Sequence, residues 1–140
     1  MAFEWEPVEL YGPNRDGEQR RYTIAAGTQV SIGTLMALTD NRTVTKLDGV
    51  FSAVVPVVAG IAAEEHEADK GVTTISCWTD GLFLGYGSWA HAVGGPCVAA
   101  GYNQFIVSSA ITVFGSGTIF GKLMENSVDG AQSEVRVGPL

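Results

Sequence analysis

IGTLMALTDNRTV at residues 32–44 lies along GGPCVAAGYNQFI at residues 94–106 with an offset of 62, which sets Gly33, Ala37 and Asn41 on Gly95, Ala99 and Asn103. Each stretch reads as an apolar strand, a polar turn and a short return strand. Further along, AGIAAEEHEADKGVTTISC (59–77) follows FGKLMENSVDGAQSEVRV (120–137) at an offset of 61, so that Gly60 meets Gly121 and Glu64 meets Glu125. Both copies run through a polar turn into an alternating strand. A scaffold repeated in this way predicts two pseudo-equivalent halves, at about 28–80 and 89–138, within one β domain spanning 23–140.

Working outward, the same grammar continues. YTIAAGTQVSIG (22–33) gives a strand and a glycine turn, and VFSAVVPVVAGIAAEE (50–65) is continuous and apolar, with Pro56 marking a bend or an edge. Asp80-Gly81 is a hairpin signal joining VTTISCWT (72–79) to LFLGYG (82–87). Ten or so short strands, punctuated by many of the 18 glycines, predict an all-β fold: a compact antiparallel barrel or sandwich, closed or covered at its edges. GIAAEEHEADK (60–70) also has helix-forming composition, but its counterpart GKLMENSVDG (121–130) is shorter and rich in turn residues. Strand plus turn is therefore the expectation for both.

Residues 1–22 differ from the rest. FEWEPVELYGPNRDGEQRRY (3–22) holds three of the eight Lys and Arg residues, two prolines and separated aromatics, a composition for an extended arm rather than a helix. One reading makes it a docking strand for a partner's sheet edge, anchored by Phe3, Trp5, Pro7, Leu10 and Tyr11. The other folds Trp5 and Leu10 back over the protein's own core.

Composition narrows the function classes. The net charge is −7, and the basic cluster Arg15, Arg20, Arg21 is interleaved with Asp16 and Glu18, which argues against nucleic acid and against anionic membrane as partners. Only 16% of residues are charged while 46% are apolar, so part of the surface is expected to be covered, in an oligomer or on a partner. MAFEWEPVEL lacks the basic and apolar regions of a signal peptide, and no apolar run reaches the roughly 18 residues of a membrane span. A soluble protein made in a cytosol is expected. Cys77 and Cys97 sit in apolar strand-like contexts, where a free thiol acts as a small hydrophobe; a single disulfide between them is the alternative.

Catalytic patterns are weak. The loop Glu64-Glu65-His66-Glu67-Asp69 is acidic enough for a hard cation but lacks EF-hand spacing, so it reads as a solvated turn. His91, Cys77 and Cys97 show none of the close ligand pairs of a zinc site. Ser88, Ser108, Ser109 and Ser116 stand outside any nucleophile elbow, and GSGTIFGK (115–122) has no Ser or Thr after Lys122, as a phosphate loop would. The expectation is a non-enzyme with no cofactor and no metal.

The order of features from Gly33 to Leu84, carried by GTLMALTDNRTVTKLDG and VVAGIAAEEHEADKGVTTISCWTDGLFL, resembles the head-decoration proteins of lambda-type tailed bacteriophages. The second copy, ending GTIFGKLMENSVDGAQSEVRV, is similar to the wider group of phage capsid cement proteins. The resemblance implies a β-tulip-like fold that binds the outside of the assembled capsid as a homotrimer at local three-fold sites. It also implies that the major capsid protein is the partner, that the location is the virion exterior, and that the arm orders on contact. The fuller second copy departs from the shorter lambda-type pattern. A rival reading is a small barrel that binds an apolar ligand between Trp78, Phe83, Tyr86 and Trp89.

Overall fold

A computed structural model describes residues 3–10, 18–47, 57–101, 103–107 and 119–138. The described residues are all-β. The strands are β1 (Glu6–Leu10), β2 (Gln19–Thr23), β3 (Leu35–Asp40), β4 (Thr43–Lys46), β5 (Val58–Ala62) and β6 (Thr74–Trp78). They continue with β7 (Gly81–Tyr86), β8 (Pro96–Gly101), β9 (Gln104–Val107), β10 (Gly121–Leu123) and β11 (Gln132–Val137). GIAAEEHEADK divides into the end of β5 and a turn, as expected, rather than a helix.

Strands β2-β4-β3-β5-β6 close into a barrel, and β1-β7-β11-β10-β8-β9 form a six-stranded sheet. Without β1, that sheet repeats the barrel strand for strand. Leu35 pairs with Ile61 and Met36 with Gly60; 61 residues on, Pro96 pairs with Lys122 and Cys97 with Gly121. Ala62 opposes Cys77 as Leu123 opposes Val135, and Tyr22 opposes Ile75 as Gly85 opposes Ser133. The parallel pair Thr23–Thr43 closes the barrel, and a parallel bridge between Gly87 and Phe105 does the same work in the second unit.

The backbone repeats along with the pairing. Gly33 and Gly94 have φ of 94° and 93°, the hairpin tips Arg42 and Asn103 have 52° and 62°, and Gly71 and Gly130 have 69° and 71°. These are left-handed conformations that glycine, and less readily asparagine, adopts at low cost. Even the turn chemistry recurs. Glu64 Oε1 accepts from the Ser76 amide at 3.3 Å, and Glu125 Oε1 accepts from the Glu134 amide at 2.9 Å. The Glu64–Glu125 correspondence is therefore structural. The first stretch, however, superposes at 61 rather than 62: Gly33 matches Gly94, and Asn103 matches Arg42.

The first barrel is filled by Ile24, Val30, Met36, Val44, Ala62, Ile75 and Cys77. Small barrels have just enough room for side chains, and these seven residues are packed together there. A larger core joins the outer face of that barrel (Leu35, Ala37, Ile61) to the inside of the second unit (Cys97, Phe105, Leu123, Val135). Cys77 and Cys97 are both free and buried, and burial pushes both thiols up to about 12.

Candidate docking surface

Two parts of the surface are candidates for docking: the N-terminal segment and one end of the second unit. The N-terminal segment is extended, but its described residues lie on this protein's own sheet. Trp5 is 1% exposed and stacks edge-on against Phe105 and Phe120 at 5.9 and 5.7 Å. Its position follows from the duplication. Tyr22, which packs against the first barrel's core, corresponds to Gly85 in the second unit, and the Trp5 indole occupies the room that Gly85 leaves. The Trp5 amide donates to Gly33 O at 2.8 Å and the indole Nε1 to Asn103 O at 2.8 Å. Asn103 completes the joint, with Nδ2 donating to the carbonyls of Phe3 and Gly33 and Oδ1 accepting from the Leu35 amide.

After Trp5 the chain becomes β1, an edge strand paired with β7. Pro7 removes a donor, Val8 stands in a register break, and Glu6 and Glu9 add charge. These are devices that blunt an edge against further strand addition. Leu10 packs against the large core, and Phe3 meets Tyr86 edge-on at 5.2 Å. The fold-back alternative thus describes Trp5 and Leu10. Residues 19–22 belong to barrel strand β2, so the span 1–22 is not a detachable arm: removing it takes away Trp5 and most of a barrel strand. Tyr11 and Arg15 lie outside the described residues.

The other part is the end of the second unit where residues 87–94 run beside 123–130. Gly130 N donates to Gly87 O, Trp89 N to Asp129 Oδ1, and Val93 N to Asn126 Oδ1, at 2.7–3.0 Å, with His91 and Ser127 bridged between them. His91 Nε2 adds a contact of 2.8 Å to Ser88 O. This framework turns apolar side chains outward. Trp89 is 68% exposed and Val128 65%, and Val93 and Met124 are exposed as well. Trp89 adopts φ of 69°, uncommon for a bulky residue, at a position fixed by the Asp129 carboxylate. At the corresponding end of the first barrel, Thr28, Ala63 and Glu67 stand where the second unit has Trp89, Met124 and Val128. The two ends of a duplicated scaffold have diverged at these three positions, while the exposed Val93 has an exposed apolar counterpart in Ile32.

The acidic loop is held together as a turn. His66 is buried, with Nδ1 2.6 Å from Thr28 O and Nε2 2.6 Å from Val72 O, while Glu67 pairs with Lys70 at 3.8 Å. No group of His, Cys, Asp and Glu among the described residues is arranged to hold a metal ion. The aromatics of the apolar-ligand reading do not converge. Trp78 and Phe83 pack on each other inside the core at 5.7 Å, Tyr86 meets Phe3, and Trp89 faces outward. Sequence reasoning missed the apolar end because its residues are scattered over two turns; the signal was the contrast between NSVDG and the charged EEHEADKG at matched positions.

No protein-family model matches this chain, and no curated protein matches it. Among solved structures it is similar to the head fiber gp8.5 N base of bacteriophage phi29, with a TM-score of 0.52 and 11% identity over 86% of this chain and 92% of that one. At that identity the likeness establishes a shared fold.

Proposed function

We propose that this chain is a structural protein of a bacteriophage head, sitting on the outside of the assembled capsid and stabilising it, as a homotrimer at local three-fold sites. The observation that carries the reading is the likeness over nearly the whole of both chains to a phage head fiber base. The lambda-type resemblance noted in the sequence points to the same part of the virion. A decoration role needs a folded body with an adhesive face and no reactive centre, and the apolar end of the second unit supplies such a face.

In this reading the contact is centred on Trp89 and Val128, with Val93 and Met124 beside them. Exposed tryptophan is the residue type most enriched at the energetic centres of interfaces. Phe3 rests on Tyr86, the end of β7 from which the chain runs into Trp89, so the start of the chain borders this face. Of the anchors expected in the N-terminal segment, Phe3 would contribute in this reading, whereas Trp5 serves inside. Binding only the assembled lattice stabilises it by mass action, and three copies held together multiply a weak contact.

Co-sedimentation with expanded capsid shells of the same phage tests the proposal. The wild-type chain should pellet with shells and not with unassembled capsid protein, and Trp89→Ser with Val128→Ser should remain folded and stay in the supernatant. A monomer that ignores shells and carries a small molecule in native mass spectrometry would overturn it.

A further inference from the structure

The first barrel has an open mouth bordered by β2, the tip of the β3–β4 hairpin and the start of β5. A cavity of about 750 Å³ lies there, with Arg20, Arg21 and Arg42 on one side and an apolar wall of Leu38, Val57 and Val58 on the other. Three of the eight Lys and Arg residues of a chain with net charge −7 therefore line one depression, and no acidic residue among those described lines it. The arrangement is built. Arg42 holds the tip of the β3–β4 hairpin at φ of 52°, and its carbonyl accepts from the Thr23 amide at 2.7 Å, which ties the tip to β2. Arg21 is engaged with Thr74 at 3.0 Å and lies 4.0 Å from Glu64. Among the described residues neither Arg20 nor Arg42 is in an ion pair. Both stand near the Tyr22 phenol, whose pKa burial raises and these two guanidinium groups pull back.

The duplication indicates what such a place takes. In the second unit, Gly85 and Asn103 correspond to Tyr22 and Arg42, and there the two residues receive a peptide segment: the Trp5 ring lies on Gly85, and Asn103 donates to Phe3 O. One copy of the scaffold thus holds a strand-like stretch of polypeptide through its hairpin tip and first strand. The other copy has Tyr22 and Arg42 at those positions, with Arg20 and Arg21 preceding Tyr22 on the same strand.

We propose that the mouth of the first barrel binds an acidic peptide segment of a partner protein, taking a carboxylate on Arg20 and Arg42 and a neighbouring aliphatic side chain on Leu38 and Val57. Guanidinium groups match carboxylates in planar, two-pronged hydrogen bonds, and these are strongest where water is partly excluded. A nucleic acid would need a continuing track of cations along its backbone, and the rest of this acidic surface supplies none. The inference stands apart from the capsid reading, since it needs only the barrel and a peptide.

The test is a titration of the whole protein, followed through backbone amide NMR shifts, with N-acetyl-Ala-Leu-Glu-Asp-Leu-Ala amide and its Gln/Asn counterpart. The acidic peptide should shift Arg20, Tyr22, Arg42 and Val58, and binding should weaken as salt is raised. Arg20→Gln and Arg42→Gln should each weaken it about tenfold, the cost of one charged hydrogen-bonding partner. Leu38→Ser, at an exposed position, should also weaken it without unfolding, which guards against an arginine variant that fails to fold. Equal binding of the neutral peptide, shifts confined to other residues, no binding at all, or preferential binding of a short oligodeoxythymidylate would each overturn the proposal.

Discussion

The Trp5 ring fills the volume that a side chain at residue 85 would need: a Cβ built on Gly85 falls 2.5 Å from two of its carbons. In the first unit the corresponding Tyr22 supplies its own side chain, so the second unit is completed by a residue from 80 positions upstream. This makes the N-terminal segment part of the core.

Trp5→Ala should therefore destabilise the protein by about 3–5 kcal/mol, as large-to-small changes of buried aromatics do. Gly85→Ala should cost about 1–3 kcal/mol by overpacking against the ring. In the Trp5→Ala background the same Gly85→Ala should cost much less, because the clash has gone. Urea denaturation of the four proteins in a double-mutant cycle reads the coupling, and additive costs would contradict the contact.

Asn103 uses both side-chain groups, and each change to it has a distinct signature. Asn103→Ala leaves the buried Leu35 amide without its acceptor and should cost about 2–4 kcal/mol, combining an orphaned donor with the lost bonds to Phe3 and Gly33. Asn103→Asp turns a carboxylate oxygen toward two carbonyls, which favours the protonated acid in the folded state. Its folded pKa then exceeds the unfolded value, so the penalty relative to wild type should be mild at acidic pH and grow as pH rises to neutrality. Melting temperatures across that range check the sign.

The thiols give a pH prediction with a defined direction. Burial raises both Cys77 and Cys97 to about 12, with Glu64 adding to the rise at Cys77, and it raises Tyr22 as well. Unfolded thiols ionise near 9, so their contribution to stability is complete below that pH and is lost as pH climbs toward 12. Denaturant midpoints should fall over that interval, and less steeply in Cys77→Ala with Cys97→Ala. Ellman's reagent at pH 8 should find no reactive thiol in the folded protein and two after guanidinium unfolding.

Much of the fold was legible because its signals are local. Period-two patterning, Asp-Gly turns and the two-copy arrangement all come from short stretches that the sequence displays directly. The register slip in the first stretch has a physical cause. Gly33, Ala37 and Asn41 each find an identical residue at an offset of 62, but the backbone demands at each site are set by left-handed turns, and Arg42 meets the same demand as Asn103 without sharing its identity. In strands, one residue of slip exchanges the inner and outer faces. Trp5 was ambiguous for a different reason: its slot exists only because β7 carries glycine at a position where β2 carries tyrosine. That relationship spans the chain and becomes visible only once the strands are paired. The outward face around Trp89 and Val128 and the arginines of the barrel mouth are likewise assembled from separated turns, so neither leaves a contiguous motif.

The twin turn carboxylates offer a test of the duplication itself. Glu64 and Glu125 each accept from a backbone amide on the strand that follows, at Ser76 and Glu134, and neither bond belongs to a sheet ladder. Removing either acceptor should loosen only its own turn, because the two lie in different units. Glu125→Ala should speed hydrogen exchange at the Glu134 amide about fivefold, the equivalent of one ordinary hydrogen bond, and leave Ser76 unchanged. Glu64→Ala should do the reverse, with a smaller effect because its bond is longer, 3.3 Å against 2.9 Å. Gln at either position keeps an acceptor and should restore most of the protection. If one substitution accelerated exchange at both amides, the two units would be opening as one, and the recurrence of the turn would carry no independence of folding.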